Sequence, residues 1–118
     1  MNDNNEAVNI RGILEHLLKS QNLAVLATQN HGQPYTSLVA FAGSEELKAL
    51  YFVTGQATRK YANLTGDPRA AMMIDNRSNA PADIADAMAA TATGSVDMLS
   101  ENEQVTLLNI YLQKHPHL

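Results

Sequence analysis

Ile10, Ile13, Leu14, Leu17 and Leu18 recur at i, i+3, i+4, i+7 and i+8, while Arg11, Glu15 and Lys19 fall off that stripe. This spacing predicts an amphipathic helix that ends at Gln21-Asn22. The period then changes. Residues 23–28 form a short run that is apolar on both faces, closed by Asn30-His31-Gly32. From Tyr35 to Ala42, Tyr35, Ser37, Val39 and Phe41 fall on one face of an extended chain, and Thr36, Leu38 and Ala40 on the other. Two extended runs around an Asn-x-Gly-x-Pro connection predict a β-hairpin.

A second turn falls at 43–46 and a third strand at 50–54, closed by Gly55. A short helix fits 58–64, with Gly66-Asp67-Pro68 as its stop signal, and a fourth strand fits 70–74 before the polar loop 75–81. Residues 81–93 are Ala-rich and suit a helix by propensity, whereas Thr91, Thr93, Gly94 and Val96 suit a strand. The stretch therefore divides into a turn or short helix at 83–86 and a strand within 88–99. Ser100-Glu101-Asn102-Glu103 has the form of a capping box, and Val105, Leu108 and Leu112 continue a helix to Lys114, before Pro116. The order of helix, three strands, helix, two strands, helix predicts an α+β fold with an antiparallel sheet or small barrel.

Composition narrows the function classes. The 118 residues suffice for one domain, and 45% hydrophobic against 17% charged residues excludes a disordered chain. Aromatics are only 5%, so the core rests on Leu, Val, Ile, Met and Ala. A formal charge of −4 with no Lys or Arg run argues against a nucleic-acid surface or an anionic-membrane binder. Cysteine is absent, which excludes disulfides, thiolate chemistry and Cys-based zinc sites. No apolar stretch reaches the length of a membrane span, and the polar start Met1-Asn2-Asp3-Asn4-Asn5 is no signal peptide. The expectation is a soluble, cytoplasmic, single domain.

The segment Thr54-Gly55-Gln56-Ala57-Thr58-Arg59-Lys60 carries the most chemistry. A strand runs into a Gly, and a helix begins near Thr58 with two cations in its first turn. Free N–H groups already make a helix N-terminus positive, so an anion there would meet backbone donors, the Thr54 and Thr58 hydroxyls and two charge-assisted bonds. A phosphate fits. The same residues read equally as solvated surface cations, with Tyr61 and Leu64 fixing the helix. Thr36 and Ser37 place one hydroxyl on each side of their strand, for a ligand or simply as residues that suit a β-surface. The loop Asn76-Arg77-Ser78-Asn79 reads as a polar cover for a bound ring or as an ordinary strand exit. His16 and His31 suggest no site. His115 and His117 read as exposed terminal residues, and two ligands do not make a metal centre. Asp83 and Asp86 pair with no nucleophile or base. With no GxGxxG, Walker loop or G-x-S-x-G, any redox chemistry must come from a bound cofactor.

The ordered set of residues 30–39, 50–55, 58–64 and Asp67-Pro68-Arg69 resembles the pyridoxamine 5′-phosphate oxidase-like family of FMN-binding split β-barrels, over nearly the whole chain. The resemblance implies a six-stranded, mostly antiparallel split barrel flanked by helices. It also implies a homodimer with FMN in grooves between the subunits. By position, Thr36, Ser37, Leu38 and Val39 would line the flavin, and Val53 and Thr54 would end the neighbouring strand. Thr58, Arg59 and Lys60 would hold the phosphate, and Asn76 and Ser78 would lie near the ring. Two departures matter. The true oxidase carries Arg where Ser37 stands and Lys where Ala42 stands, and it uses a C-terminal Arg-x-His motif for which residues 1–118 leave no room. Vitamin B6 oxidase activity is therefore not expected, and the single domain reads as short by a C-terminal strand. The broad apolar arc of the last helix calls for a partner subunit or a missing tail.

The function implied is an FMN-dependent oxidoreductase that exchanges hydride or electrons with NAD(P)H or a small organic substrate, with no side chain standing out as acid, base or nucleophile. The alternative is a non-catalytic flavin- or haem-binding module. A deazaflavin would prefer a more basic groove, and a ligand-free dimerisation domain would leave Arg59 and Lys60 without a purpose.

Overall fold

The computed structural model describes residues 3–117. In chain order it holds α1 (Asp3–Ser20), β1 (Leu23–Asn30), β2 (Gln33–Gly43), β3 (Leu50–Phe52), α2 (Arg59–Gly66), β4 (Arg69–Asp75), α3 (Asp83–Asp86), β5 (Ala89–Ser95) and α4 (Glu101–Lys114). The β1–β2 hairpin turns on His31 and Gly32, at φ +49° and +83°. Two successive positive φ angles give the turn whose twist matches that of the flanking strands, and Gly32 adopts its angle without a Cβ penalty. The five strands form one curled antiparallel sheet in the order β3-β2-β1-β4-β5, a half-barrel.

Register assigns the two faces. Leu26 stands opposite both Ser37 and Met72, and Ala24 opposite Val39. These residues share the inner face with Thr28, Phe41 and Ile74. The core is Leu17, Leu18, Ala24, Leu26, Val39, Phe41, Met72 and Ile74, and among the large buried side chains only Phe41 and Tyr111 are aromatic. Only the C-terminal end of the α1 stripe is covered: Leu17 and Leu18 are buried, while Ile10 and Ile13 are exposed. The outer face carries Val25, Leu38 and Met73, with Leu38 64% exposed.

At α4, Ser100 accepts from the Glu103 N–H and the Glu103 carboxylate accepts from the Ser100 N–H, so the capping box is closed. The helix docks through its last turn. Tyr111 donates to the Ala40 carbonyl (3.2 Å), Lys114 to the Leu18 carbonyl (2.7 Å), and His115 Nε2 to the Phe41 carbonyl (2.6 Å). This corrects the expectation that His115 is an exposed terminal residue: it is buried against Tyr111, because its ring supplies the donor that a carbonyl at the end of β2 otherwise lacks. Val105, Leu108 and Ile110 stay exposed. The described residues hold five strands, the number the periodicity predicts, against the six that the resemblance implies, and α4 forms where the capping box placed it. Among the described residues no helix is long and apolar enough to cross a membrane.

Candidate functional site

β2 and β3 part company, and the candidate site lies where they split. They pair only from Phe41↔Phe52 to Gly43↔Leu50, although β2 extends back to Gln33. The Phe41 N–H bonds to Asn22 O across the β1 side. Antiparallel pairs alternate, so residues 35, 37 and 39 direct their backbone groups to β1, and 36, 38 and 40 direct theirs to the other edge. Tyr111 occupies the Ala40 carbonyl on that edge. The N–H and C=O groups of Thr36 and Leu38 have no backbone partner there among the described residues.

Past Phe52, Val53 is exposed and Thr54 half-buried, and the chain enters α2. Thr58 is the N-cap: its hydroxyl donates to Gly55 O (2.8 Å) and accepts from Tyr61 N–H (3.3 Å). The Thr54 hydroxyl lies 3.0 Å from that of Thr58 and within 3.3 Å of Gly55 O, to which it can donate. The first turn contains no acidic residue. Among the described residues the N–H groups of Arg59 and Lys60 have no acceptor, and neither side chain has a carboxylate partner. An open depression of ≈ 460 Å³ lies here, lined by Asn30, Ala57, Thr58, Arg59, Ala62 and Asn63. Free backbone donors, a positive helix end and two unpaired cations together form an anion-binding arrangement.

Two clamps hold α2 in place. The buried Asn63 amide donates to the buried Thr28 hydroxyl (3.0 Å). Gln29 donates to Asp67 (2.6 Å), which also accepts from the Arg69 backbone and guanidinium, the shortest bond being 2.7 Å. The Arg69 side-chain bond is the main cause that holds the Asp67 carboxyl down at about 2. Sequence reasoning missed these clamps. The available signal was an Asn inside an eight-residue helix, a poor helix former that stays buried only when its amide has a partner.

The expected site residues do not form one surface. Thr54, Thr58, Arg59 and Lys60 gather at the start of α2. On β2, Thr36 and Leu38 point their side chains to the outer face, whereas Ser37 and Val39 point inward. Val39 is buried, and the buried Ser37 hydroxyl oxygen has no hydrogen-bond partner. Asn76 and Ser78 are engaged within their own loop. Asn76 accepts from the Met88 N–H (2.7 Å), and Ser78 donates to Asp83 through both its N–H and its hydroxyl. Bonds from the Ser78, Asn79 and Ala80 backbones lower the Asp83 carboxyl pKa, which gives Asp83 a structural role in that loop. On the outer face a second groove of ≈ 350 Å³ runs over Leu23, Val25, Leu38 and Met73 to the Asp75–Arg77 ion pair.

Residues 12–115 match the family described as pyridoxamine 5′-phosphate oxidase. No curated protein matches the chain significantly. Among solved structures, it is similar to a FAD-binding protein from Mesorhizobium loti (19% identity, TM-score 0.68, 89% of this chain and 76% of that one). It is also similar to an F420 reductase (20% identity, TM-score 0.64, 86% and 75%). A third likeness is to the haem storage protein HutZ from Vibrio cholerae (15% identity, TM-score 0.67, 89% and 78%). What is shared at these identities is the fold. The family match spans nearly all of the sequence, and the half-barrel with its helices agrees with it: the chain belongs to the pyridoxamine 5′-phosphate oxidase family.

Proposed function

We propose that this protein binds FMN at the split between β2 and β3 and serves as a flavin-dependent oxidoreductase working as a homodimer. The observation that carries the reading is the start of α2, where two backbone donors have no acceptor and two cations have no carboxylate partner among the described residues. The donor set fits a phosphate monoester: Arg59 and Lys60 supply charge and N–H groups, and Thr54 and Thr58, whose hydroxyls bond to Gly55 O and to each other, would turn those protons toward it. The free edge at Thr36 and Leu38 offers alternating donors and acceptors to a heterocycle, and Val53 and the backbone of Ser37 and Val39 border it. The bound flavin would supply hydride and electron exchange with NAD(P)H or a small organic substrate. The chain's own residues bind and orient it. The outward-facing Leu38, Val25 and Met73 make an apolar surface that a second copy would cover.

Non-catalytic flavin binding is the second reading, and the composition of the site favours it. Thr36, Ser37, Leu38, Val39, Val53 and Thr54 include no group suited to move a proton at neutral pH, and Ser37 and Ala42 replace the basic residues of the true oxidase. Haem is less suited, because no histidine lines either depression and His115 is committed to Phe41. The visible spectrum of the purified protein, with and without added FMN, tests the binding. A protein that stays colourless and takes up no FMN refutes it. If FMN binds, anaerobic NADH and NADPH then separate the two readings: bleaching supports the oxidoreductase, and an unbleached flavin supports the binding protein.

A further inference from the structure

Arg59 is set apart from the other arginines. Arg11, Arg69 and Arg77 each lie against a carboxylate, of Glu15, Asp67 and Asp75, at 3.1, 2.7 and 3.1 Å. Arg59 lies instead over the ring of Tyr35, its guanidinium carbon 5.7 Å from the ring centroid. Tyr35 stands opposite Thr28 on the hairpin, and Thr28 receives the Asn63 amide that docks α2. The ring and the arginine therefore belong to elements already tied together, one residue from the free edge at Thr36.

We propose that Tyr35 is a positioning residue, whose aromatic face holds the Arg59 guanidinium ready for the phosphate. This inference rests on the FMN reading above. A carboxylate partner would occupy the N–H donors of an arginine and cancel its charge toward an incoming anion. An aromatic face attracts the cation while leaving those donors free for two parallel bonds to phosphate. Holding the side chain before the ligand arrives also removes part of the ordering cost of binding. The contact is with the face of the Tyr35 ring, so the contribution comes from the ring.

The test compares wild type with Tyr35→Phe and Tyr35→Leu, first confirming by circular dichroism that all three fold alike. In the ligand-free proteins the Arg59 Nε–H resonance should carry a ring-current shift in wild type and Tyr35→Phe and lose it in Tyr35→Leu. In fluorescence titrations Tyr35→Leu should weaken FMN binding by about two- to fivefold, the size of an exposed cation–π contact. Riboflavin, which lacks the phosphate, should bind all three equally, and Tyr35→Phe should match wild type for FMN. A wild type that binds FMN, with Tyr35→Leu binding it equally well, overturns this inference alone. So does an equal loss for FMN and riboflavin, or no ring-current shift in wild type. A wild type that binds no FMN overturns the underlying reading and this inference with it.

Discussion

The Asn63 amide donates to the Thr28 hydroxyl across 3.0 Å, both side chains buried, and this bond joins α2 to β1 where the helix begins to cover the sheet. Removing either partner leaves the other without a hydrogen bond away from water, which costs about 1–3 kcal/mol. Asn63→Ala and Thr28→Val should each destabilise the protein by that amount in urea unfolding. The double variant should lose clearly less than the sum, because the second substitution removes the group the first one orphaned. Strict additivity would mean that the two side chains do not share the bond.

Arg59 and Lys60 face no carboxylate, so nothing within the described chain competes with an anion for them. Charge-assisted bonds to a phosphate are each worth ~1.5–3 kcal/mol. Arg59→Ala combined with Lys60→Ala should therefore weaken FMN binding by several kcal/mol while leaving riboflavin affinity almost unchanged. An unchanged FMN affinity in a fluorescence titration would place the phosphate elsewhere.

Lys114 reaches the Leu18 carbonyl (2.7 Å) and lies 3.7 Å from the centroid of the Phe41 ring. Both contacts favour the ammonium, yet burial outweighs them and pushes Lys114 down to about 8 from 10.5. Between those values the unfolded chain keeps a proton that the folded chain releases, so the folded state gains stability as pH rises through the window. Burial raises the Tyr111 phenol above 10.0, so its contribution is lost above that pH as the unfolded phenol ionises. The urea midpoint should rise from pH 8 to about pH 10 and then fall. Lys114→Met should flatten the rising limb, whatever it does to absolute stability. An identical slope in the variant would show that another group titrates.

The sequence carried the local structure well and the long-range polar contacts poorly. The 3.6 and 2.0 periods, the Gly32 turn and the Ser100 capping box act within a few residues of chain, and each formed where the pattern placed it, except that the third strand, expected at 50–54, ends at Phe52, where its pairing with β2 stops. The gathering of Thr54, Thr58, Arg59 and Lys60 was legible for the same reason, since they are consecutive around one helix start. The Asn63–Thr28 bond spans 35 residues and the His115–Phe41 bond 74, distances over which no spacing rule operates. His115 looked terminal because a chain end is usually solvated, and only the fold shows a free strand carbonyl waiting for a donor. The division of residues 36–39 between two faces follows from a period of 2. That half of it serves as open edge follows only from where β3 stops pairing.

Leu38 stands opposite Val25 on the outer face of the sheet, and Val25 stands opposite Met73. At 64% exposure Leu38 contributes little to the core of one chain, so its burial must come from a second copy if the proposed dimer forms there. Leu38→Glu would place two carboxylates in the apolar centre of such an interface, one from each copy, where neither finds a partner. The variant should therefore run as a folded monomer in sedimentation equilibrium, with far-UV circular dichroism like that of the wild type. Its FMN affinity should fall as well, since the Leu38 backbone borders the split between β2 and β3. A wild type that is monomeric at micromolar concentration, or a Leu38→Glu variant that remains dimeric, would remove this face as the interface.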